Sequence, residues 1–316
     1  MRRSGPPGSK SAAVSKIPMA FPGQIQDSLT FAKMAGGGND FVVIDHRERR
    51  LDDVAEFTRR VCTPHLSVGA DGLILIESSE RAGVRMVYYN ADGTRADFCA
   101  NGTRCAARFA LLAGITSHRM TVETDAGILK AEVDAAGMVT LMLPPPAAPP
   151  LERALRVGDR TIQGTFLTLG VPRYVIFLRD ELWSSDIVPV GRAIRHHPDL
   201  QPQGANVDFV VIRDPSAIDV RTYERGVEAE TLSCGSGVVA SVTAAALFDK
   251  VASPVKVLTR SGITFEVSFL GAGGEVRELR LKGDARVVFR GSMTAETLSG
   301  FDPAFFRNPT EPALSA

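Results

Sequence analysis

The sequence predicts an α+β fold of two similar, pseudo-symmetric halves. Each half is a mixed sheet wrapped around one central helix, and the cleft between them is the place for a site. Three observations carry this. Segments with strand character outnumber helical ones along the chain. The same order of elements, strands then a cysteine-headed helix then more strands, occurs twice with little residue identity. The helix after Cys234 is apolar nearly all round, through Val238, Val239, Ala240, Val242, Ala244, Ala245, Ala246, Leu247 and Phe248, so it has to be enclosed.

In chain order, residues 1–25 read as a disordered extension with two arginines and no continuous apolar core for secretion. Gly36, Gly37, Gly38 and Asn39 predict a flexible turn before a short strand at 41–44. Residues 52–62 have helical character. GADGLILIE (69–77) is a turn then a strand, and VRMVYYN (84–90) is another strand ending in an Asn-Ala-Asp-Gly turn. The helix after Cys99 stops at Gly114. MTVETDAG, ILKAEVDAAG and MVTLML follow as an antiparallel meander. PPPAAPP (144–150) marks a domain boundary.

The second half has strands at TIQGTFLTLG and RYVIFL, mixed character with a helix over 183–195, and strands at NVDFVVI and IDVRTYERG. After the Cys234 helix come VKVLT, ITFEVSFL, ELRLKGD and ARVVFRG, and from Ser299 the chain reads as a tail. The division is therefore 26–143 for the first domain and 150–285 for the second, with 299–316 as tail.

Composition excludes several classes. The chain has 316 residues, 44% of them hydrophobic and 23% charged, with 36 basic against 36 acidic side chains. That describes a globular protein large enough for about two domains. A net charge of zero gives no footprint for nucleic acid. No apolar run approaches the roughly 18 residues that span a bilayer. Four cysteines are too few for a disulfide scaffold of this size, and the chain is assigned to the reducing cytoplasm. The five histidines match no metal-ligand spacing, so no metal is expected.

The chemistry centres on two cysteines. Cys62 and Cys105 read as small core residues. Cys99 and Cys234 differ, because each precedes a helix by about one turn among tiny residues: Ala100 and Gly102, or Gly235, Ser236 and Gly237. Free N–H groups at a helix start favour an anion, so the same position depresses a thiol pKa and cradles a carboxylate. Two thiols on opposite faces of one carbon suit inversion at a stereocentre. One removes the α-proton as thiolate, and the other returns a proton from the opposite side. No pyridoxal phosphate motif is visible, and no cofactor is called for.

The motifs GGGNDFVVID, GADGLILI, NADGTRADFCANGTRC, NVDFV and YERGVEAETLSCGSG, spread over roughly residues 29–295, resemble the diaminopimelate epimerases. These are pyridoxal-independent amino-acid epimerases. The resemblance implies two similar α/β domains closing over a small-molecule substrate, diaminopimelate. It also implies epimerisation of the LL to the meso form in lysine and peptidoglycan precursor synthesis. Cys99 and Cys234 are implied as the acid–base pair. Asn39, Asn90, Asn101, Asn206, Glu224, Arg225, Gly235 and Ser236 are implied as substrate contacts, with Ala100 beside Cys99. It further implies that the last strand, within 286–298, returns to the first domain. A homodimer is expected from the resemblance alone.

Physically, Arg225 offers a fork for the distal carboxylate, and asparagines both donate and accept around the distal ammonium. Glu224 can orient or deprotonate a thiol.

The chain departs from the family pattern at three places. Ala100 stands where glycine is usual, and Gly72 where glutamine often stands. In GVPRYV (170–175), Val171 and Arg173 replace an asparagine and a histidine. Arginine cannot serve as a base, but it can hold a thiolate by charge. Two other readings stay open: a racemase or epimerase of another amino acid, of proline or hydroxyproline type, and a non-catalytic or redox-sensing protein using the same thiols.

Overall fold

The computed structural model describes residues 29–48, 51–146, 148–271 and 276–306. The extension expected over 1–25 lies outside them. Strand β1 (Leu29–Gly36) turns into β2 (Asn39–Asp45) through Gly37 and Gly38, which both need positive φ (65° and 95°). Then come α1 (Val54–Val61), β3 (Gly72–Glu77), β4 (Val84–Asn90), β5 (Arg95–Ala96) and α2 (Ala100–Leu112). A meander follows of β6 (Arg119–Thr124), β7 (Gly127–Val133) and β8 (Val139–Leu143).

The second half opens with β9 (Leu151–Val157), β10 (Arg160–Leu169), β11 (Val171–Leu178) and α3 (Val188–Arg195). It continues with β12 (Asn206–Asp214), β13 (Ala217–Glu224), β14 (Ala229–Thr231), α4 (Gly235–Leu247), β15 (Val255–Thr259), β16 (Thr264–Leu270), β17 (Arg277–Gly283) and β18 (Arg286–Met293).

The duplication is written in the strand pairings. The first half runs β18–β1–β2–β3–β4–β6–β7–β8 and the second β9–β10–β11–β12–β13–β15–β16–β17. Both ladders show the same succession of antiparallel and parallel pairs. The parallel steps fall at β2–β3, β4–β6, β11–β12 and β13–β15, each bridged by a segment that contains a helix. The last strand, β18, pairs with β1 and takes the place that β9 holds in the second half.

Each sheet wraps its own central helix. Helix α2 packs on β1, β2, β3, β4, β6, β7 and β8, and α4 on β10 to β13, β16 and β17. Buried residues of both helices belong to one continuous apolar core. The halves meet edge to edge through β8 and β17, where Leu141 faces Leu281 and Leu143 faces Leu279.

Several expectations change. Residues 29–36 form a full strand, supported by partners on both sides, where only the segment from 41 had been read as one. The glycine turn is tied down rather than flexible. The Gly37 N–H donates to Asp284 Oδ1 at 2.7 Å, and its carbonyl accepts from the Ser233 hydroxyl. Helix α3 starts at Val188 rather than 183, because Trp183 is held outside it by Asp219 (2.8 Å). The described part of the tail docks on α1. Arg60 donates to the carbonyls of Leu298 and Phe301 and stacks over the Phe301 ring.

Leu281 is fully buried at the seam between the halves. Leu281→Ala is expected to destabilise the protein by about 2–5 kcal/mol, read as a lower denaturant midpoint at unchanged slope.

Candidate active site

Cys99 and Cys234 occupy matching positions, each the extended residue immediately before its central helix. Cys99 has φ −144° and ψ 112°, and Cys234 has φ −129° and ψ 110°. The Cys99 sulfur accepts from the Gly102 N–H at 3.4 Å. The two helix starts touch, since a methyl group on Gly235 would lie 2.8 Å from Ala100 Cβ. Between them opens a cleft of about 830 Å³. Asn39, Tyr88, Asn90, Cys99, Ala100 and Asn101 line it from the first half, and Glu224, Arg225, Cys234, Gly235 and Ser236 from the second. The residues singled out in the sequence are thus brought together, with two exceptions that lie behind the cleft wall: Asn206 and Arg173.

Arg173 is fully buried beneath Cys234. One guanidinium nitrogen is 2.9 Å from the Cys234 sulfur and 2.6 Å from Ser236 Oγ, and the other is 3.0 and 3.2 Å from the Asp208 carboxylate oxygens. Asp208 also accepts from Thr222 Oγ1 at 2.7 Å. Burial opposes the arginine charge, but Cys234, Asp208 and Glu224 together raise its pKa further above its ordinary value. Room for this pair depends on Gly237, where a methyl group would sit 2.4 Å from Asp208 Oδ1 and 2.7 Å from the guanidinium. On the open side, the Cys234 thiol donates to Glu224 Oε1 at 3.5 Å.

The expectation of depressed thiol pKa values is overturned. Burial pushes Cys99 up to about 11, against the pull of the Gly102 N–H, with Glu224 adding to the rise. Burial also raises Cys234, although Arg173 works the other way. Desolvation outweighs the helix termini at both thiols, and the Glu224 charge adds to the rise at each. Cys105, inside α2, is driven by burial to about 12 and is packing, as its sequence context indicated.

The asparagines have distinct settings. Asn101 is buried; it donates to Asn39 Oδ1 at 2.7 Å and Ser233 Oγ at 3.3 Å, while Arg104 donates to its oxygen at 2.7 Å. Asn39 in turn donates to Asp71 at 2.9 Å. Asn90 donates to Thr94 Oγ1 at 3.1 Å across its turn. Asn206 Oδ1 accepts from the Arg225 N–H at 2.6 Å, so it fixes the backbone of Arg225 from behind. The Arg225 side chain reaches Gln203 O at 3.3 Å. His46 is bound to Glu77 at 3.0 Å, and none of the described histidines lines the cleft.

Sequence reasoning missed Asp208, Thr222, Ser233, Arg104 and Tyr88. Only Tyr88 had a readable signal: it lies two residues before Asn90, on the strand that faces Gly72. A side chain at 72 would collide with its ring (2.6 Å), so the aromatic ring occupies the space that Gly72 leaves. Burial, then the charge of Cys99, raises its phenol pKa, so the hydroxyl stays protonated in the cleft wall.

The same architecture recurs in solved structures at low identity. A hydroxyproline epimerase from Agrobacterium vitis superposes with a TM-score of 0.63 at 16% identity, over 86% of this chain and 94% of that one. A phenazine biosynthesis protein of the PhzF family from Bacillus anthracis gives 0.62 at 13%, over 85% and 99%. These likenesses define the class of fold, two sheet-wrapped helices facing across a cleft. Sequence relatives are nearer. Diaminopimelate epimerase of Aquifex aeolicus is 41% identical over 282 residues, 85% of this chain and 99% of that protein. That of Chlorobaculum tepidum is 40% identical over 264 residues, 83% and 100%. The family model described as diaminopimelate epimerase matches residues 31–147 and 165–286. The chain belongs to the diaminopimelate epimerase family.

Alkylation of Cys99 in the free protein is expected to reach half its limiting rate near pH 11, well above an ordinary thiol at about 8.5. Peptide-resolved iodoacetamide labelling across pH measures this, and a midpoint at or below 8.5 would contradict the burial argument.

Proposed function

We propose that the protein interconverts LL- and meso-2,6-diaminopimelate by a two-thiol mechanism, as an isomerase of lysine biosynthesis. The observation that supports this most is the pair of cysteines at touching helix starts, opening into one cleft. The substrate α-carboxylate sits against the free N–H groups of α2 and α4, where no charged side chain is required. One cysteine, as thiolate, takes the α-proton: the Cα–H bond breaks, an S–H bond forms, and the electron pair stays on the α-carbon. The opposed thiol then gives its proton to the other face of that carbon and becomes the thiolate. The configuration is inverted, and the protonation states of the two cysteines are exchanged.

Developing negative charge is stabilised by the two helix termini that face the cleft. Glu224, beside Cys234, takes up the thiol proton that must leave before the cycle starts. Arg225, Asn39 and Asn90 grip the distal amino-acid end, with Asn206 fixing Arg225 and Asn101 fixing Asn39. That grip selects a diamino diacid over a simple amino acid, since only the diacid carries a second carboxylate and ammonium to meet it. The reaction needs only this chain's own side chains and backbone. The four free thiols fit a reducing compartment, and we place the protein in the cytoplasm.

Incubation with LL-diaminopimelate in D₂O should exchange the α-proton and yield meso product. Absence of both, in folded protein with reduced thiols, would exclude the activity. Exchange on proline or hydroxyproline instead would point to the other amino-acid class.

Cys99→Ser and Cys234→Ser are each expected to lower turnover by about 10²–10⁴-fold. Cys105→Ser should cost stability and leave turnover in the folded fraction near wild type. Equal loss in all three would remove the case for a catalytic pair.

A further inference from the structure

The two thiols are chemically matched in the proposed reaction but are not matched in their surroundings. Around Cys99, negative charge is favoured by one backbone N–H, from Gly102 at 3.4 Å, and through space by Arg104, which makes no hydrogen bond to the sulfur. Cys234 has a guanidinium nitrogen at 2.9 Å, and the same nitrogen holds Ser236 Oγ at 2.6 Å. That arginine is clamped from its far side by Asp208, which is fully buried and carries Thr222 as a second partner. Gly237 leaves the space the clamp needs. A permanently charged, fully buried guanidinium aimed at a sulfur is expensive to bury, so its position calls for a function beyond packing.

Resting on the two-thiol reading above, we propose that Arg173 is a positioning residue that makes Cys234 the member of the pair that forms the thiolate in the free protein, so that Cys99 enters the first turnover as the thiol. The groups that face the Cys234 sulfur are Arg173 from β11, Asp208 from β12, Glu224 at the end of β13, Ser236 on its own helix and Cys99 across the cleft. Glu224 receives the S–H of the resting thiol at 3.5 Å. When that proton passes to the carboxyl group, the S–H bond breaks and an O–H bond forms. The sulfur electron pair then meets the N–H of Arg173, with the Ser236 hydroxyl within 3.6 Å to add a second donor. Arginine does not titrate in the working range, so this support is constant with pH. Asp208 keeps the guanidinium from swinging toward Glu224 and neutralises it for burial. Among the charges acting on the Cys234 thiol, Arg173 lowers its pKa more than Asp208 raises it.

The test is the pH dependence of iodoacetamide alkylation, followed separately at Cys234 and Cys99 by peptide mass spectrometry. The midpoint is used because accessibility scales the rate without moving it. In the wild-type protein the Cys234 midpoint is expected below that of Cys99. The paired variant Arg173→Gln with Asp208→Asn removes both charges, so that no buried ion is left alone. It should raise the Cys234 midpoint by a unit or more, a tenfold loss of thiolate at fixed pH, and leave the Cys99 midpoint in place. Turnover should fall about tenfold or more with KM nearly unchanged. Arg173→Lys, which keeps the charge, should hold the Cys234 midpoint nearer wild type. A lower midpoint at Cys99 in the wild type, or an unmoved Cys234 midpoint in a folded paired variant, would overturn the assignment. Loss of α-proton exchange in the wild type would instead strike the proposed reaction, which the alkylation readout does not depend on.

Discussion

Everything in the site depends on two helix N-termini being pressed together. Such an approach concentrates partial positive charge from both helices at one point, which is unfavourable until an anion sits there. It is sterically possible because the contact residues are as small as residues can be, Gly235 against Ala100. The large apolar core shared by α2 and α4 holds the helices in place against that repulsion. A carboxylate placed there would relieve an electrostatic tension that the fold maintains. The same closeness puts the two sulfurs at one cleft, each at the residue where the helix has yet to begin.

The two repeats reach this arrangement by different means. Helix α4 is apolar almost throughout and is enclosed by its own sheet. Among the buried polar residues of helix α2, Asn101 and Arg104 connect across the halves. Arg104 donates to the Asp284 carbonyl and stacks over Phe265, and Asn101 reaches Ser233. Asp284 also receives the Gly37 N–H. A single residue between the last two strands of the molecule thus supports both the glycine turn beside the cleft and the helix that follows Cys99. Desolvated polar contacts of this kind fix geometry more sharply than apolar packing does, because each has a partner it cannot exchange.

Much of this could be read from the residues alone. The Cys-headed helices were legible because small residues, apolar faces and the cysteines coincide at both positions. The strands were legible wherever β-branched residues alternate or run together, as in Phe41 to Ile44 and NVDFVVI. Strand β1 was not, because LTFAKMAG is ordinary by propensity and is a strand through partners near and far, β2 and β18. Asp208 is one polar residue in an apolar strand, and what it meets is decided by the parallel register that sets Val175 beside it and Arg173 two residues earlier. The thiol pKa values were misjudged for a related reason. Helix-terminus effects are local and visible in sequence, whereas burial comes from residues far away in the chain.

The last strand has a consequence for the order in which the molecule can be made. Strand β18 pairs with β1, about 250 residues earlier, and completes the first sheet. On the ribosome, the N-terminal half has all its other strands long before this one emerges, and β1 carries an open edge for the whole of that time. The second half lacks nothing of its own once β17 is out. The domain synthesised first is therefore the one finished last, and the growing chain has to shield an unfilled strand position from other nascent chains until β18 has emerged.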